Sequence, residues 1–288
     1  MEVGRIGLSG ASFGRKPEWI PGQARDDETP WSRPSALTIY LKTMIKHVLL
    51  SVLLVSLTAT AIPQFTHAQR DPKAREIAEA TIEAMGGMDE WNDRRYFVWD
   101  IFGESHYWDK WNGDFRWQAD SLTVLMNIES KTGDAWIDGS KVDDSAQEKQ
   151  ILDRAYQRWV NNSYWVIMPF KLLDPGVTLD YVGIDTSAAG QVSDVIEMTF
   201  ENVGLTPQNK YHVYVDRTSG MVCQWEYYRT RDDREPSIVN PWNDWKEYNG
   251  VWMSTGRGPE RPPVTNVALP DELPRSIFTD PGPVQWRP

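Results

Sequence analysis

The stretch RYFVWDIFGESHYWDKWNGDFRWQ, residues 95–118, decides the fold. It is rich in aromatic and β-branched residues, which favour extended backbone. Asn112-Gly113 lies between two aromatic runs, and in that setting an Asn-Gly pair is the strongest short-range signal for a β-hairpin. We therefore predict strands at residues 95–103, 106–110 and 114–118, paired as antiparallel neighbours.

Strand patterns continue along the rest of the chain. Apolar and polar residues alternate over 122–128, as in a half-buried strand. A turn at 131–134 leads into 135–138, and a second Asn-Gly pair at 249–250 predicts another hairpin. The remaining predicted strands cover residues 177–182, 192–200, 210–215, 221–229, 242–248 and 251–255.

Two helical regions interrupt the strands. Asp71 and Pro72 are the residue types preferred at the N-cap and first position of a helix, and the apolar period of this helix runs until Gly86-Gly87. A second helix is predicted from Ser145 to about Asn161, and a short third one over 164–172. The order predicts an α+β fold, in which one curved antiparallel sheet of about nine strands packs against helices.

The N-terminal region has the pattern of a secretory signal. Lys46 precedes an uncharged apolar stretch of about 15 residues, too short to span a bilayer, and Ala68 occupies the small position before a cleavage site. We predict a signal peptide at 44–68 with cleavage after Ala68, an uncleaved anchor being the alternative. Residues 1–43 are interpreted as a spurious, disordered extension that lies upstream of the true start at Met44. The alternative is a genuine disordered extension of the protein. The folded domain is predicted at 69–256, followed by a Pro-rich extended tail at 257–288.

Composition excludes several classes of function. The 288 residues carry 41 acidic and 30 basic side chains, a net charge of −11, which argues against nucleic acid as a partner. A single cysteine excludes an internal disulfide framework and Cys-rich metal sites. The sequence has no dinucleotide, P-loop, zincin or Gly-x-Ser-x-Gly motif, so we predict neither a cofactor nor a metal.

The candidates for catalysis are few. His106 and His212 are expected to be partly exposed strand histidines, with a role as general base as the alternative. Two of the many acidic residues could converge as a glycosidase pair. The acidic candidates are Asp100, Glu104, Asp109, Asp114, Asp134, Asp138 and Glu197.

Fifteen tryptophans indicate either a thick aromatic core or a cavity for an apolar ligand, and methionines suit adaptable pockets. If a cavity is present, we predict that the most apolar side chains of the strands and helices line it. Leu125 and Met126 are adjacent in one strand and point to opposite faces, so at most one of them can belong to that lining. The candidate residues are Trp99, Trp117, Leu125, Met126, Met168, Phe170, Met198 and Trp225.

Several segments resemble the LolA/LolB-like superfamily of outer-membrane lipoprotein-sorting proteins, in an uncharacterised branch. They are YWVIMPFKLLDPGV at 164–177, LDYVG at 179–183, FENVGLTP at 200–207, YHVYVD at 211–216 and WKEYNGVWM at 245–253. The resemblance implies an open antiparallel half-barrel with helices in its concave face, and an apolar cavity that holds acyl chains without chemistry. Two features depart from it: no lipobox cysteine is present, and neither Arg94 nor Arg95 can be matched to the carrier's gating arginine.

Together these observations predict a soluble, periplasmic, monomeric carrier of a hydrophobic ligand, a lipid or the acyl chain of a lipoprotein, rather than an enzyme. A membrane-associated delivery partner is implied by the resemblance. The alternatives are a carbohydrate-active enzyme that uses two carboxylates, and a carbohydrate-binding module that uses exposed Trp rings.

Overall fold

The computed structural model describes residues 71–201 and 203–287. The predicted signal peptide and upstream extension lie outside the described residues. The hairpin predicted around Asn112-Gly113 is confirmed: β2 (Glu104–Asp109) pairs with β3 (Asp114–Ala119) through that turn. Gly113 has φ of 74°, a left-handed conformation that a side chain would strain.

The first sheet has seven strands in the order β14-β1-β2-β3-β4-β5-β6, and all its neighbours pair antiparallel. The strands besides β2 and β3 are β1 (Tyr96–Ile101), β4 (Leu122–Asn127), β5 (Thr132–Ile137), β6 (Ser140–Lys141) and β14 (Thr265–Ala268). Strand β14 lies inside the segment predicted as an extended tail, so the folded chain continues past residue 256. The short four-residue strand was not recognised because its partner, β1, lies far away in the sequence.

The second sheet has five strands in the order β11-β10-β9-β8-β7, and a separate hairpin follows it. Its strands are β7 (Val177–Thr186), β8 (Val192–Phe200), β9 (Lys210–Asp216), β10 (Val222–Tyr228) and β11 (Ile238–Pro241), and the hairpin joins β12 (Asn243–Tyr248) to β13 (Val251–Gly256). The predicted Asn249-Gly250 turn connects the last two. The strands are therefore divided between two sheets and a hairpin, so the prediction of one sheet of about nine strands is wrong.

Three α-helices are described: α1 (Pro72–Ala84), α2 (Gly87–Asp93) and α3 (Ser145–Ile167). Asp71 caps α1 by accepting from the backbone N–H groups of Lys73 and Ala74, as the sequence predicts. Helix α3 runs without a break through the point where two helices were predicted. A 3-10 helix, Met168–Lys171, then ends it with Pro169 in its first turn, where a missing N–H is tolerated.

Helix α3 packs against β4, β5 and β13, and α1 packs against β7. Two groups of buried side chains fill the space between helices and strands. The sheets are curved and antiparallel, and in the described part of the chain they do not close into a barrel. The predicted α+β class, with helices packed against an open, curved antiparallel sheet, is confirmed.

The C-terminal segment covers the other face of the first sheet. Arg116 of β3, which is 1% exposed, donates hydrogen bonds to the backbone carbonyls of Ile277, Asp280, Pro281 and Gly282. A 3-10 helix, Arg275–Phe278, lies in this segment. One guanidinium supplies donors in a fixed planar fork, and here it holds the backbone of residues 277–282 against the sheet.

Candidate functional site

The eight predicted cavity residues are divided among three places. Trp99, Trp117, Met126 and Phe170 belong to the first group of buried side chains. Met168, Met198 and Trp225 belong to the second. Leu125 pairs across the strands with Arg116, so it lies on the opposite face of the first sheet from Met126.

Trp99 and Trp117 are fully buried among other rings. The Trp99 ring stacks on Phe97 with centroids 4.4 Å apart and on His106 at 4.6 Å. Phe170 stacks on Trp91 of α2 at 5.0 Å. In this structure these side chains act as core residues, and they line neither of the two cavities described next.

A groove with a volume of about 440 Å³ lies beside α3. Helix α3 forms one wall, the end of β2 and the β4–β5 turn form a second, and the segments flanking β7 and β8 form the third. The residues that line it are Trp108, Lys110, Ile128, Glu129, Tyr156, Trp159, Val160, Ser163, Tyr164, Ile167, Lys171, Asp174, Pro175, Val177, Phe200, Val203 and Gly204. An adjoining pocket of about 170 Å³ shares Val160 and Tyr164 with it and extends to Leu205, which is 48% exposed.

Five aromatic side chains line the groove: Trp108, Tyr156, Trp159, Tyr164 and Phe200. Trp108 and Trp159 meet edge to face with ring centroids 5.2 Å apart, and Tyr156 lies 5.6 Å from Trp159. The Tyr164 hydroxyl donates to the Met198 sulfur at 3.6 Å, and burial raises the pKa of that hydroxyl well above its ordinary value. The groove therefore offers large, half-buried rings whose contacts with each other leave part of each ring open.

Strand alternation explains how β2 contributes to this groove. Side chains two residues apart in a strand share a face, so Glu104, His106 and Trp108 all point toward α3. Glu104 and His106 lie under the helix and are buried, whereas Trp108 and Lys110, the first residue after β2, reach the groove. Sequence reasoning missed this face because it treated His106 as partly exposed, although the alternation around it was readable.

The turn after β2 positions Lys110. The Asp109 carboxylate, which is almost fully buried, pairs with Arg95 at 2.7 Å and accepts hydrogen bonds from the backbone of Trp111 and Asn112. Burial by itself raises the pKa of Asp109, but the hydrogen bond from Arg95 and those from the turn lower it below its ordinary value. Asp109 thus fixes the backbone from which the Lys110 side chain extends.

A buried polar cluster lies between β2 and α3. Asn162 donates to Glu104 at 2.7 Å and lies 3.0 Å from His106 Nε2, and Trp117 Nε1 donates to Glu104 at 2.9 Å. Burial raises the pKa of Glu104, while hydrogen bonding with His106 and Trp117 and the charge of Arg158 bring it below its ordinary value. His106 is 0% exposed, so the expectation of a partly exposed histidine is wrong for this residue.

His212 lies on the face of the second sheet that points away from α3. Its Nε2 is 3.2 Å from Glu197 and its Nδ1 is 3.6 Å from Glu226, on the two neighbouring strands. Burial raises the pKa of Glu226, but hydrogen bonds with His212 and the hydroxyls of Tyr228 and Tyr214 lower it below its ordinary value. His212 is half-buried, in accord with the prediction, and neither carboxylate lines the groove.

Within residues 71–201 and 203–287, no group of three His, Cys, Asp or Glu side chains is arranged to hold a metal ion. No helix in the same ranges is long and apolar enough to cross a membrane.

The chain matches no protein-family model and no curated protein. Among solved structures it is similar to a DUF1329 family protein from Desulfovibrio piger, with 13% identity over 71% of this chain and 96% of that chain and a TM-score of 0.37. It is also similar to MucB, with 15% identity over 68% of this chain and 66% of that chain and a TM-score of 0.25. It is similar as well to MucB in a complex with MucA(peri), with 14% identity over 58% of this chain and 55% of that chain and a TM-score of 0.21. The chain thus spans about two thirds or less of the MucB chains, and these similarities do not identify a family for it.

Proposed function

We propose that this protein is an exported carrier that binds an apolar ligand, the acyl chain of a lipid or lipoprotein, in the groove beside α3. The observation that carries the proposal is the groove itself. Its volume of about 440 Å³ lies within the roughly 300–1,000 Å³ typical of small-molecule sites. Aromatic rings and aliphatic side chains from α3 and both sheets converge on it.

Binding would draw its free energy from apolar surface removed from water, at about 25 cal/mol per Å². The partly open rings of Trp108, Tyr156 and Trp159 supply such surface, and Val160 and Ile167 add aliphatic surface from α3. No bond is made or broken in this function, so the proposal is a binding protein and not an enzyme. The ligand site proposed here is lined by side chains of α3 and its neighbours. It does not include the buried core positions that the sequence predicts as cavity lining.

The test is the binding of the neutral apolar dye N-phenylnaphthylamine to purified protein. Val160→Glu places a charge in the wall of the groove, and Gln157→Glu adds the same charge on the exposed side of the same helix. We expect Val160→Glu to weaken dye binding by roughly tenfold or more, because the charge must be desolvated when the dye enters. Gln157→Glu should bind as the unmodified protein does.

Val203→Glu gives a second test from another wall of the groove, should Val160→Glu fail to fold. Thermal melting followed by circular dichroism identifies which variants are folded. Unchanged dye binding in a folded wall variant, or no dye binding by the unmodified protein, would overturn the groove as the ligand site. Displacement of the dye by an oligosaccharide and by no lipid would favour the carbohydrate alternative.

Export, the delivery partner and the monomeric state belong to the same proposal. A carrier exported by the predicted signal peptide should begin at or near Gln69, which N-terminal sequencing of the protein from the periplasm checks. Native mass spectrometry of that material would give the mass of the protein, its oligomeric state and any retained lipid. A mature protein that keeps residues 1–43 would contradict the interpretation of the upstream extension.

A further inference from the structure

Lys110 is the feature of the groove that an apolar ligand does not explain. It lines the groove, it is half-buried, and its ammonium lies 3.5 Å from the centroid of the Trp91 ring. One of its donors goes to the backbone carbonyl of Trp91. Among the described residues, no carboxylate lies within ion-pair distance of this ammonium, although an ammonium group has three donors and a full charge.

Burying a cation without a counter-charge is unfavourable, because water solvates the charge better than apolar surroundings do. For Lys110, burial and the nearby charge of Arg94 lower the pKa from its ordinary value to about 7, and the charge of Asp93 offsets only part of this lowering. An anionic group that entered the groove beside Lys110 would remove this penalty.

Two more donors belong to residues that line the groove. The indole N–H groups of Trp108 and Trp159 are buried and have no hydrogen-bond partner in the described part of the chain. A buried donor without an acceptor costs about 1–3 kcal/mol. Both N–H groups are covered by neighbouring atoms, so a ligand oxygen would reach them after the rings turn.

The other charges that line the groove favour one position for an anion. Lys171 is paired with Asp174, so its charge is already compensated. Glu129 is exposed and would repel an anion. Lys110 is therefore the place where negative charge would be stabilised most.

Resting on the proposed function, we infer that the groove takes amphiphiles with an anionic head group, a carboxylate or a phosphate monoester, and that Lys110 binds that head group. The acyl chain then lies against the aromatic surface formed by α3. The ligand class becomes free fatty acids or lipids with a phosphate monoester head group, in preference to neutral lipids with the same chain.

The experiment compares dodecanoate, dodecyl phosphate and dodecanol as competitors of the neutral dye, with the two anions below their micelle concentrations and dodecanol below its solubility limit. The unmodified protein should bind one or both anions roughly tenfold or more tightly than dodecanol. In Lys110→Met the ratio of anion to alcohol affinity should fall toward one, and Lys110→Arg, which keeps the positive charge, should restore most of it. Lys149→Met, at an exposed lysine of α3, is the control and should keep the full ratio.

The outcomes separate the two proposals. Equal affinity for dodecanol and both anions in the unmodified protein, or a ratio that Lys110→Met leaves unchanged, overturns the role of Lys110 while the apolar site stands. If none of the three competitors binds, the proposed function fails as well. The affinities of dodecanoate and dodecyl phosphate, compared with each other, show whether the site prefers a carboxylate or a phosphate head group. If Lys110→Met does not fold, the ratio is compared between the unmodified protein and Lys110→Gln.

Discussion

The side-chain amide of Asn162 donates to the Glu104 carboxylate at 2.7 Å, and this contact joins the long helix to the second strand in the interior of the fold. Asn162 also accepts from Asn161 and lies within hydrogen-bond distance of His106, so its polar atoms are all used. Because a buried network is stabilising only when its members are satisfied, the loss of one member should affect the others.

Asn162→Ala should therefore lower the free energy of unfolding by about 1–3 kcal/mol, since it removes one buried hydrogen-bond partner from Glu104 and one from His106. Denaturation in urea measures the change. Gln157→Ala, at an exposed position of the same helix, is the control and should change stability by no more than about 0.5 kcal/mol. Equal effects of the two substitutions would show that the network contributes nothing specific.

Glu104 gives a prediction about acid stability. Its pKa is lower in the folded protein than its ordinary value, so its contribution is complete well above the unfolded pKa of about 4.3 and is lost as the pH falls through the folded pKa. Glu104→Gln should destabilise the protein at neutral pH, and the difference from the unmodified protein should shrink toward about pH 3. Glu260→Gln, at an exposed carboxylate, should show no such pH-dependent difference.

Phe170→Ala tests the core at the C-terminal end of α3. Phe170 is 3% exposed and stacks on Trp91, so its truncation should cost about 3–5 kcal/mol of stability. Phe102→Ala is the matched control, because Phe102 is 39% exposed, and it should cost far less. Unchanged thermal stability of Phe170→Ala would indicate that the 3-10 helix is an exposed lid rather than part of the core.

Arg116→Met should loosen the C-terminal segment. The substitution removes the donors that hold four backbone carbonyls between residues 277 and 282, and we expect a loss of about 1–3 kcal/mol. Trypsin should then cleave after Arg275 faster than in the unmodified protein, whereas Arg229→Met, at an exposed arginine, should leave the cleavage rate unchanged. A segment that resists trypsin equally in both variants would contradict this role of Arg116.

The lowered pKa of Lys110 predicts that the ratio of anion to alcohol affinity depends on pH. Its ammonium is charged below a pKa of about 7, and a bound anion raises that pKa. The preference for dodecanoate, whose carboxylate stays ionised over this range, relative to dodecanol should decline between about pH 6 and about pH 9, as the free protein loses this proton. The other charged groups around Lys110 or along the groove are Arg94, Asp93, Glu129, Lys171 and Asp174. A preference that stays constant over this range would contradict the assignment.

Local chemistry explains which parts of the fold were predictable. The Asn-Gly turns at 112–113 and 249–250 and the caps at Asp71 and Asp144 act within a few residues, so their signals are complete in the sequence. The partner of β14 could not be found in this way, because the pairing joins the two ends of the described chain. The division of the strands into two sheets depends on similarly distant contacts.

The candidate site was missed for a different reason. Tyr156, Trp159 and Val160 fit the apolar period of α3, and periodicity does not distinguish a side chain that is covered from one that lines a groove. The sequence predicts the most apolar strand positions, such as Trp99 and Trp117, as cavity lining, whereas in the structure both side chains are fully buried in the core. The charged neighbour Lys110, two residues beyond Trp108, was the readable signal.

The pairing of β1 with β14 also bears on the order in which the protein is made. Strand β1 is synthesised before β14, so one of its edges has no partner until residues 265–268 have been made. The first sheet is therefore incomplete until that point, and β1 keeps an open strand edge. A chain truncated before Thr265 would keep this open edge permanently and be prone to aggregate.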